Sequence, residues 1–202
     1  MPQTIIAIII SYLVGSIPTA YIFGRVLKGV DIRQHGSGNV GATNAMRILG
    51  KVPGAVVLFL DILKGFLAVM LLPNFFKTQS EIGIILIGLS CVFGHIWTVF
   101  LGFKGGKGIA TTLGVLLALA AKVPGLSPIL GLVLLVWLVF FLLFRVVSLA
   151  SILSALALPI FTLTFSRSKV LIVLSIFLSL LVIWRHKSNI SRLIQNKESR
   201  IV

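Results

Sequence analysis

Residues 4–23, TIIAIIISYLVGSIPTAYIF, decide the fold class. They carry no charge over the ~20 residues that an α-helix needs to cross the hydrocarbon core of a bilayer. No basic region precedes the run and no clear cleavage site follows it, so it reads as a retained span rather than a signal peptide. The remainder is built in the same way. Of 202 residues, 58% are hydrophobic and 11% charged, and the mean hydropathy of +1.14 lies far outside the usual range of soluble domains. The chain reads as an all-α, polytopic integral membrane protein with a single domain over residues 1–202.

Six further apolar runs cover residues 53–72, 82–101, about 110–121, 127–144, about 149–165 and 170–184, which makes seven expected spans. The fourth, sixth and seventh fall short of ~20 residues, so they are either lengthened by their flanks or cross only in part. Each must be helical, because hydrocarbon offers backbone polar groups no other partner. Of eighteen Lys and Arg, Lys64 lies inside a span and Lys77, Lys122, Arg167 and Lys169 fall on one side, which leaves thirteen for the other. This bias places the amino terminus outside and the carboxyl terminus in the cytoplasm. The acids are Asp31, Asp61, Glu81 and Glu198, so the net charge is +14. Polar surfaces of that sign favour anions and acidic lipid headgroups, and no nucleic-acid partner is expected. Cys91 is the one cysteine, which excludes disulfides and cysteine metal sites.

Two polar stretches carry the chemistry. Residues 35–47, HGSGNVGATNAMR, form a glycine-rich loop of hydroxyl and amide residues. Gly36, Gly38 and Gly41 allow tight turns and close approach to a ligand. Thr43 and Asn44 read as N-caps of a short helix over residues 45–49, ended by Gly50. Backbone N–H groups aimed at one point, with Arg47 one turn along, suit a phosphate. The letters Gly36-x-Gly38-x-x-Gly41 match a dinucleotide fingerprint, but the strand and parallel βαβ unit that the fingerprint needs are missing. A plain connector would not require this set of donors.

The second stretch is residues 94–112, GHIWTVFLGFKGGKGIATT. Lys104 and Lys107 sit among Gly102, Gly105, Gly106 and Gly108, and Thr111 and Thr112 open the next helix. It is not a Walker A loop, because no Ser or Thr follows Lys107. Headgroup contact would explain the lysines but not the glycines, so a second phosphate contact is favoured. His95 reads as a packed or hydrogen-bonded core histidine. Asp61 and Lys64, at i and i+3 inside the second span, must pair or line a cavity. A salt bridge and direct substrate contact by Lys64 both remain open. Arg145, Ser148 and Ser151 form a polar helix start whose serines can cap it. In the tail, Ser188 or Asn189 can cap a short helix, and His186 can act as a general base or as a donor to phosphate. Lys197 and Arg200 are equally explained as a basic tail among headgroups.

No Asp or Glu pair is available for metal-dependent phosphoryl chemistry, so neither a metal nor a cofactor is expected. What remains is a site for phosphorylated substrates at the membrane surface, in an enzyme acting on lipids or in a carrier.

SGNVGATNAMR (37–47), GH (94–95) with FLGFKGGKGIAT (100–111), and HKSNISRL (186–193) resemble, in order, the three sequence blocks of the bacterial acyl-phosphate:glycerol-3-phosphate acyltransferase family, PlsY. Asp61-x-x-Lys64-Gly65 and Arg145-x-x-Ser148-Leu149 fall between them as in that family, so the resemblance covers nearly the whole chain. One departure is Asn196 ahead of Glu198, where glycine is expected; Asn also tolerates a left-handed cap.

The resemblance implies a seven-helix enzyme of the bacterial inner membrane, active on the cytoplasmic side. It would transfer the acyl group of acyl-phosphate to the 1-hydroxyl of glycerol 3-phosphate, giving lysophosphatidic acid and inorganic phosphate. Acyl-CoA and acyl carrier protein are not used directly. The implied catalytic residues are Ser37, Arg47, Lys107, His186 and Asn189. Substrate and phosphate binding falls to Gly38, Asn39, Gly41, Thr43, Asn44, Lys64, Lys104, Gly105, Gly106, Gly108, Thr111, Ser148 and Arg192. Two phosphates would account for two anion-binding loops. The His-x4-Asp pair of other glycerolipid acyltransferases is absent, since Val40, Phe100 and Ser191 stand five places after the three histidines.

A transporter or flippase for a phosphorylated small molecule or lipid is the alternative, and a purely structural membrane protein is a third reading. Carriers commonly show duplicated halves and polar groups at mid-membrane depth; here the polar residues crowd one side and no convincing repeat is present. A monomer is the working expectation, and acyl-chain preference is not legible.

Overall fold

The structure is a computed structural model that describes residues 2–200. Among these residues it is wholly helical, with ten α-helices and two 3-10 turns. They group into two compact units, Met1–Leu119 and Ala120–Val202.

The first unit holds α1 (Pro2–Ser16), α2 (Thr19–Lys28), α3 (Ala42–Leu49), α4 (Lys51–Phe75), α5 (Glu81–Ile96) and most of α6 (Ile109–Lys122). The first apolar run is not one straight helix, as the sequence led us to expect. It breaks at Ile17–Pro18, because proline has no N–H to donate and disfavours the helical region for the residue before it. Thr19 N–H donates to Ile17 O at 3.1 Å, and side chains remote in sequence add to the carbonyls released at the break. Lys64 Nζ donates to Ile17 O at 3.0 Å, and Thr98 Oγ1 donates to Ser16 O at 2.5 Å. The buried Asp61–Lys64 pair of α4 thus has a place in the architecture, repairing a broken helix where water cannot.

Helices α1 and α5 cross closely. A Cβ at Gly15 would overlap the Cys91 backbone, and one at Gly94 would overlap the Tyr12 carbonyl. Small residues at such crossings let backbones approach. Across this seam Ser11 Oγ donates to Ile87 O at 2.6 Å, Ser90 Oγ to Ile8 O at 2.7 Å and Tyr12 OH to Trp97 O at 2.6 Å. Gly65 and Gly114 serve the α4–α6 crossing in the same way, against Thr111 and Ile62.

The second unit holds α7 (Leu126–Phe144), α8 (Val147–Phe165), α9 (Lys169–Arg185) and α10 (Lys187–Ile194). Arg145, in a left-handed conformation with φ 58°, ends α7. Ser168 caps α9 by accepting from Leu171 N. Helices α9 and α10 meet at a 61° bend.

All seven apolar runs are helical, but not all are full spans by length. Among the described residues, five helical segments are long and apolar enough to cross a membrane, or six if the bent α9–α10 pair is one span; α6 is shorter. Large apolar side chains such as Phe59, Leu71, Ile160 and Val173 face outward, as expected where the solvent is lipid.

Candidate active site

In the first unit, the 35–47 loop is tied from both ends. Asp31 opens it by accepting from Arg33 N at 3.0 Å, and it pairs with the Arg33 guanidinium at 2.7 Å and with Arg25 at 3.6 Å. The Arg33 hydrogen bond outweighs the effect of burial and holds the Asp31 carboxyl down at about 2. From the far side, Asn44 Oδ1 accepts the Ser37 N–H at 2.9 Å, and Nδ2 donates to Ile32 O and His35 O, each at 3.1 Å. Beneath the loop, Ile32, Val40 and Ala45 pack with Ala20, Leu49, Val57 and Leu101.

This corrects the capping expectation. Helix α3 starts at Ala42 behind Gly41, and no side chain caps it. Asn44 is buried in its first turn, with both donors and one acceptor position given to the loop, so it holds the loop rather than reaching a phosphate. The Ser37 and Gly38 N–H groups are likewise used within the loop, on Asn44 Oδ1 and His35 O. The orphan N–H groups of the uncapped first turn of α3 are what the segment offers an anion. Ser37 and Arg47 are exposed, and Asn39 and Thr43 are half-buried.

The second glycine segment folds back onto the end of α5. Gly105 N donates to Ile96 O and Gly106 N to His95 O, both at 3.0 Å. A Cβ on Gly106 would overlap His95 Nε2 and lie 2.8 Å from Val40 O. The two glycine-rich segments, far apart in sequence, therefore meet at Gly106, which lies against the His95 imidazole. On its other edge, His95 Nδ1 stands 3.6 Å from Asp61 Oδ1, which also receives Lys64 Nζ at 2.7 Å and Thr19 Oγ1 at 2.8 Å. Lys104 is exposed and Lys107 half-buried.

Two members of the expected binding set are placed elsewhere. Lys64 is buried in the ion pair and on Ile17 O, so the salt-bridge reading is the one the geometry favours. Thr111 is fully buried at the α4–α6 crossing, and its Oγ1 has no hydrogen-bond partner. It is a packing residue there, not a surface phosphate contact.

In the second unit, Glu198 is the hub. Ser148 Oγ donates to its Oε1 at 2.9 Å, Asn189 Nδ2 to Oε1 at 2.6 Å and Arg192 Nε to Oε2 at 2.6 Å. Burial pushes the Glu198 carboxyl up, but these three donors, Arg192 foremost, outweigh it and hold the group below the ordinary value of 4.5. The capping expectations fail here too. Helix α8 follows Val146 and α10 follows His186, neither with a side-chain cap; Ser148 and Asn189 turn to Glu198 instead. Asn196 does adopt the left-handed conformation expected of it, with φ 55°. That turn lets Lys197 N donate to Arg192 O at 2.8 Å and brings Glu198 back under α10. His186 is buried at the α9–α10 bend, its Nδ1 2.8 Å from Val182 O. A carbonyl can only accept, so Nδ1 carries the hydrogen and Nε2 is the basic nitrogen of the neutral ring.

The sequence profile described as Glycerol-3-phosphate acyltransferase matches residues 5–196. The chain belongs to this family. A glycerol-3-phosphate acyltransferase of Synechococcus sp. (strain CC9902) is 46% identical over 199 residues, which cover 98% of this chain and 96% of that protein. One from Desulforamulus reducens is 43% identical over 98% of this chain and 95% of its own length. A crystal structure of PlsY (YgiH), an integral membrane glycerol 3-phosphate acyltransferase in its glycerol 3-phosphate form, superposes with a TM-score of 0.87 at 41% identity, covering 98% and 96% of the two chains. The lysophosphatidic acid form gives 0.83 at 40% identity, over 98% of this chain and 95% of the other.

Within this family member, the blocks read from sequence sit in two groups. The 35–47 and 102–108 segments come together in the first unit; Ser148, Asn189 and Arg192 come together in the second, with His186 at the helix bend beside Asn189. The sequence reading named two organisers without giving either its organising part. Glu198 could have been found as the one acid among the basic residues beyond Ala120. His95 was read as a packed or hydrogen-bonded core histidine, and its contact with Gly106 had no local signal.

Proposed function

We propose that this chain transfers an acyl group to the 1-hydroxyl of glycerol 3-phosphate, giving lysophosphatidic acid, with acyl-phosphate as the donor and inorganic phosphate as the leaving group. The observation that carries the reading is the meeting of two glycine-rich cationic segments at Gly106, in a chain related along nearly its whole length to glycerol-3-phosphate acyltransferases.

The donor is a mixed anhydride and arrives activated, so no covalent enzyme intermediate is required. The hydroxyl oxygen attacks the acyl carbonyl carbon, the carbon–oxygen bond to phosphate breaks, and the hydroxyl proton goes to His186 Nε2. Alignment of the two substrates and stabilisation of the developing negative charge account for the rate. The uncapped first turn of α3, with Ser37, Asn39 and Arg47, and the Lys104–Lys107 segment supply that stabilisation; Arg192 acts on a substrate phosphate through the guanidinium nitrogens beyond the Nε on Glu198, and Ser148 and Asn189 hold Glu198 beside it. We further propose that all seven apolar helices form one membrane-embedded domain, in the bacterial inner membrane, with the amino terminus outside and the catalytic segments facing the cytoplasm.

The test is to mix acyl-phosphate with glycerol 3-phosphate and purified protein in detergent or lipid cubic phase, following phosphate and lysophosphatidic acid together. Stoichiometric release that needs glycerol 3-phosphate and collapses in Lys107→Ala and Arg47→Ala is expected. No product from folded protein would turn the reading to a carrier, tested by uptake into liposomes.

A further inference from the structure

We propose that His95 is a positioning residue, which holds the two glycine-rich segments at a fixed separation and so aligns the groups bound on them; the proposal rests on the acyltransferase reading. The imidazole is nearly buried and lies between three fixed bodies. Below it is the Asp61 carboxylate, 3.6 Å from Nδ1 and itself fixed by Lys64 and Thr19. Above it is the Gly106 backbone, so close to Nε2 that no side chain fits there, with Val40 O of the other segment against the same point. The His95 carbonyl takes the Gly106 N–H at 3.0 Å, so one residue contacts Gly106 through both its ring and its main chain.

Space filling alone does not account for this arrangement. An apolar side chain of similar size would occupy the volume, but it would present no polar edge to the carboxylate below or to the peptide groups above. A shift of the ring moves Gly106, and Gly106 lies against Val40 O of the other segment, so the displacement passes from one segment to the next. Misplacement by about 1 Å at such a distance from the reacting atoms can cost about 10²-fold in rate. The residue acts through Gly106 and Val40 and need not touch substrate.

The experiment compares His95→Leu and His95→Gln with the unaltered protein, each checked for a retained unfolding midpoint. Turnover is measured against both substrates, and amide exchange is followed over residues 36–41 and 102–108. In His95→Leu, kcat should fall about 30- to 100-fold with both KM values within about threefold, and both segments should exchange faster. His95→Gln, whose amide reaches the position of Nε2, should recover most of kcat and slow the exchange again. The proposal is overturned if His95→Leu keeps kcat within threefold, if the loss lies wholly in KM, or if Gln does no better than Leu. Unchanged exchange in both segments overturns it even where no acyl transfer is found in the unaltered protein, an outcome that would separately defeat the acyltransferase reading.

Discussion

Asn189 Nδ2 donates to Glu198 Oε1 at 2.6 Å, and this contact draws the segment after α10 back onto the helix that carries Asn189 and Arg192. Removing the carboxylate strands three donors at once. Glu198→Ala should therefore lower stability by on the order of 2 kcal/mol, the scale of hydrogen bonds to a charged group, seen as a lower unfolding midpoint in detergent. The pH dependence follows from the depressed carboxyl. A group whose folded value lies below its unfolded value stabilises above the unfolded value, here 4.5, and loses that contribution as pH falls below it. The midpoint of the unaltered protein should drop more between pH 5 and 3 than that of Glu198→Gln, on a scale set by ordinary Glu values of about 4.3.

Asn44 is satisfied on three sides by the loop it closes. Asn44→Ala leaves Ser37 N–H without its acceptor and takes one of two donors from each of the Ile32 and His35 carbonyls, a cost of about 1–3 kcal/mol, and acyl transfer should fall with it. Asn44→Asp should do no better, because a carboxylate in that place faces the Ile32 and His35 carbonyls. Thermal unfolding beside turnover checks both; an Asp variant as stable and active as the original would show that the donors do not matter.

The Asp61–Lys64 pair is expected to behave as a buried ion pair. Lys64→Met takes from Asp61 its lysine partner, leaving Thr19 and His95 beside it, and leaves Ile17 O with the Thr19 N–H alone; breaking a buried pair in this way costs up to about 3–5 kcal/mol. The double variant Asp61→Asn, Lys64→Met removes the charge that needed compensation, so it should be more stable than Lys64→Met alone. Chemical unfolding of the unaltered protein, Lys64→Met, Asp61→Asn and the double variant in one detergent measures the difference.

His186 offers Nε2 as its basic nitrogen because Val182 O takes the hydrogen on Nδ1. Loss of a general base costs about 10²–10⁴-fold, and glutamine cannot take up a proton. Both His186→Ala and His186→Gln should fall by that factor; near-normal rates in both rule out the base role, and rescue by Gln alone makes His186 a hydrogen-bond donor.

Much of the site was legible as segments and little of it as contacts. The glycines and cations of residues 35–47 and 102–108 announced close backbone approach and an anion. They did not reveal that Gly106 is a glycine because His95 and Val40 lie against it, since that space belongs to residues remote in sequence. Thr43, Asn44, Ser148 and Ser188 all carry the side chains of N-caps, and none of these helices uses one. Propensity to cap is local, and in Asn44 and Ser148 a distant partner won.

By itself the sequence determined the membrane class and the helical character of the seven apolar runs, because hydrocarbon leaves the backbone no other way to satisfy its hydrogen bonds. It also determined the family, through the ordered polar blocks. Only the tertiary structure decided that Lys64 Nζ joins the Thr19 N–H on Ile17 O at the Pro18 break. The same holds for the two glycine-rich segments meeting at Gly106 against His95 and for Glu198 gathering Ser148, Asn189 and Arg192. Each of these depends on which group fills the space beside another, and side-chain partners across helices are set by packing geometry rather than by local sequence.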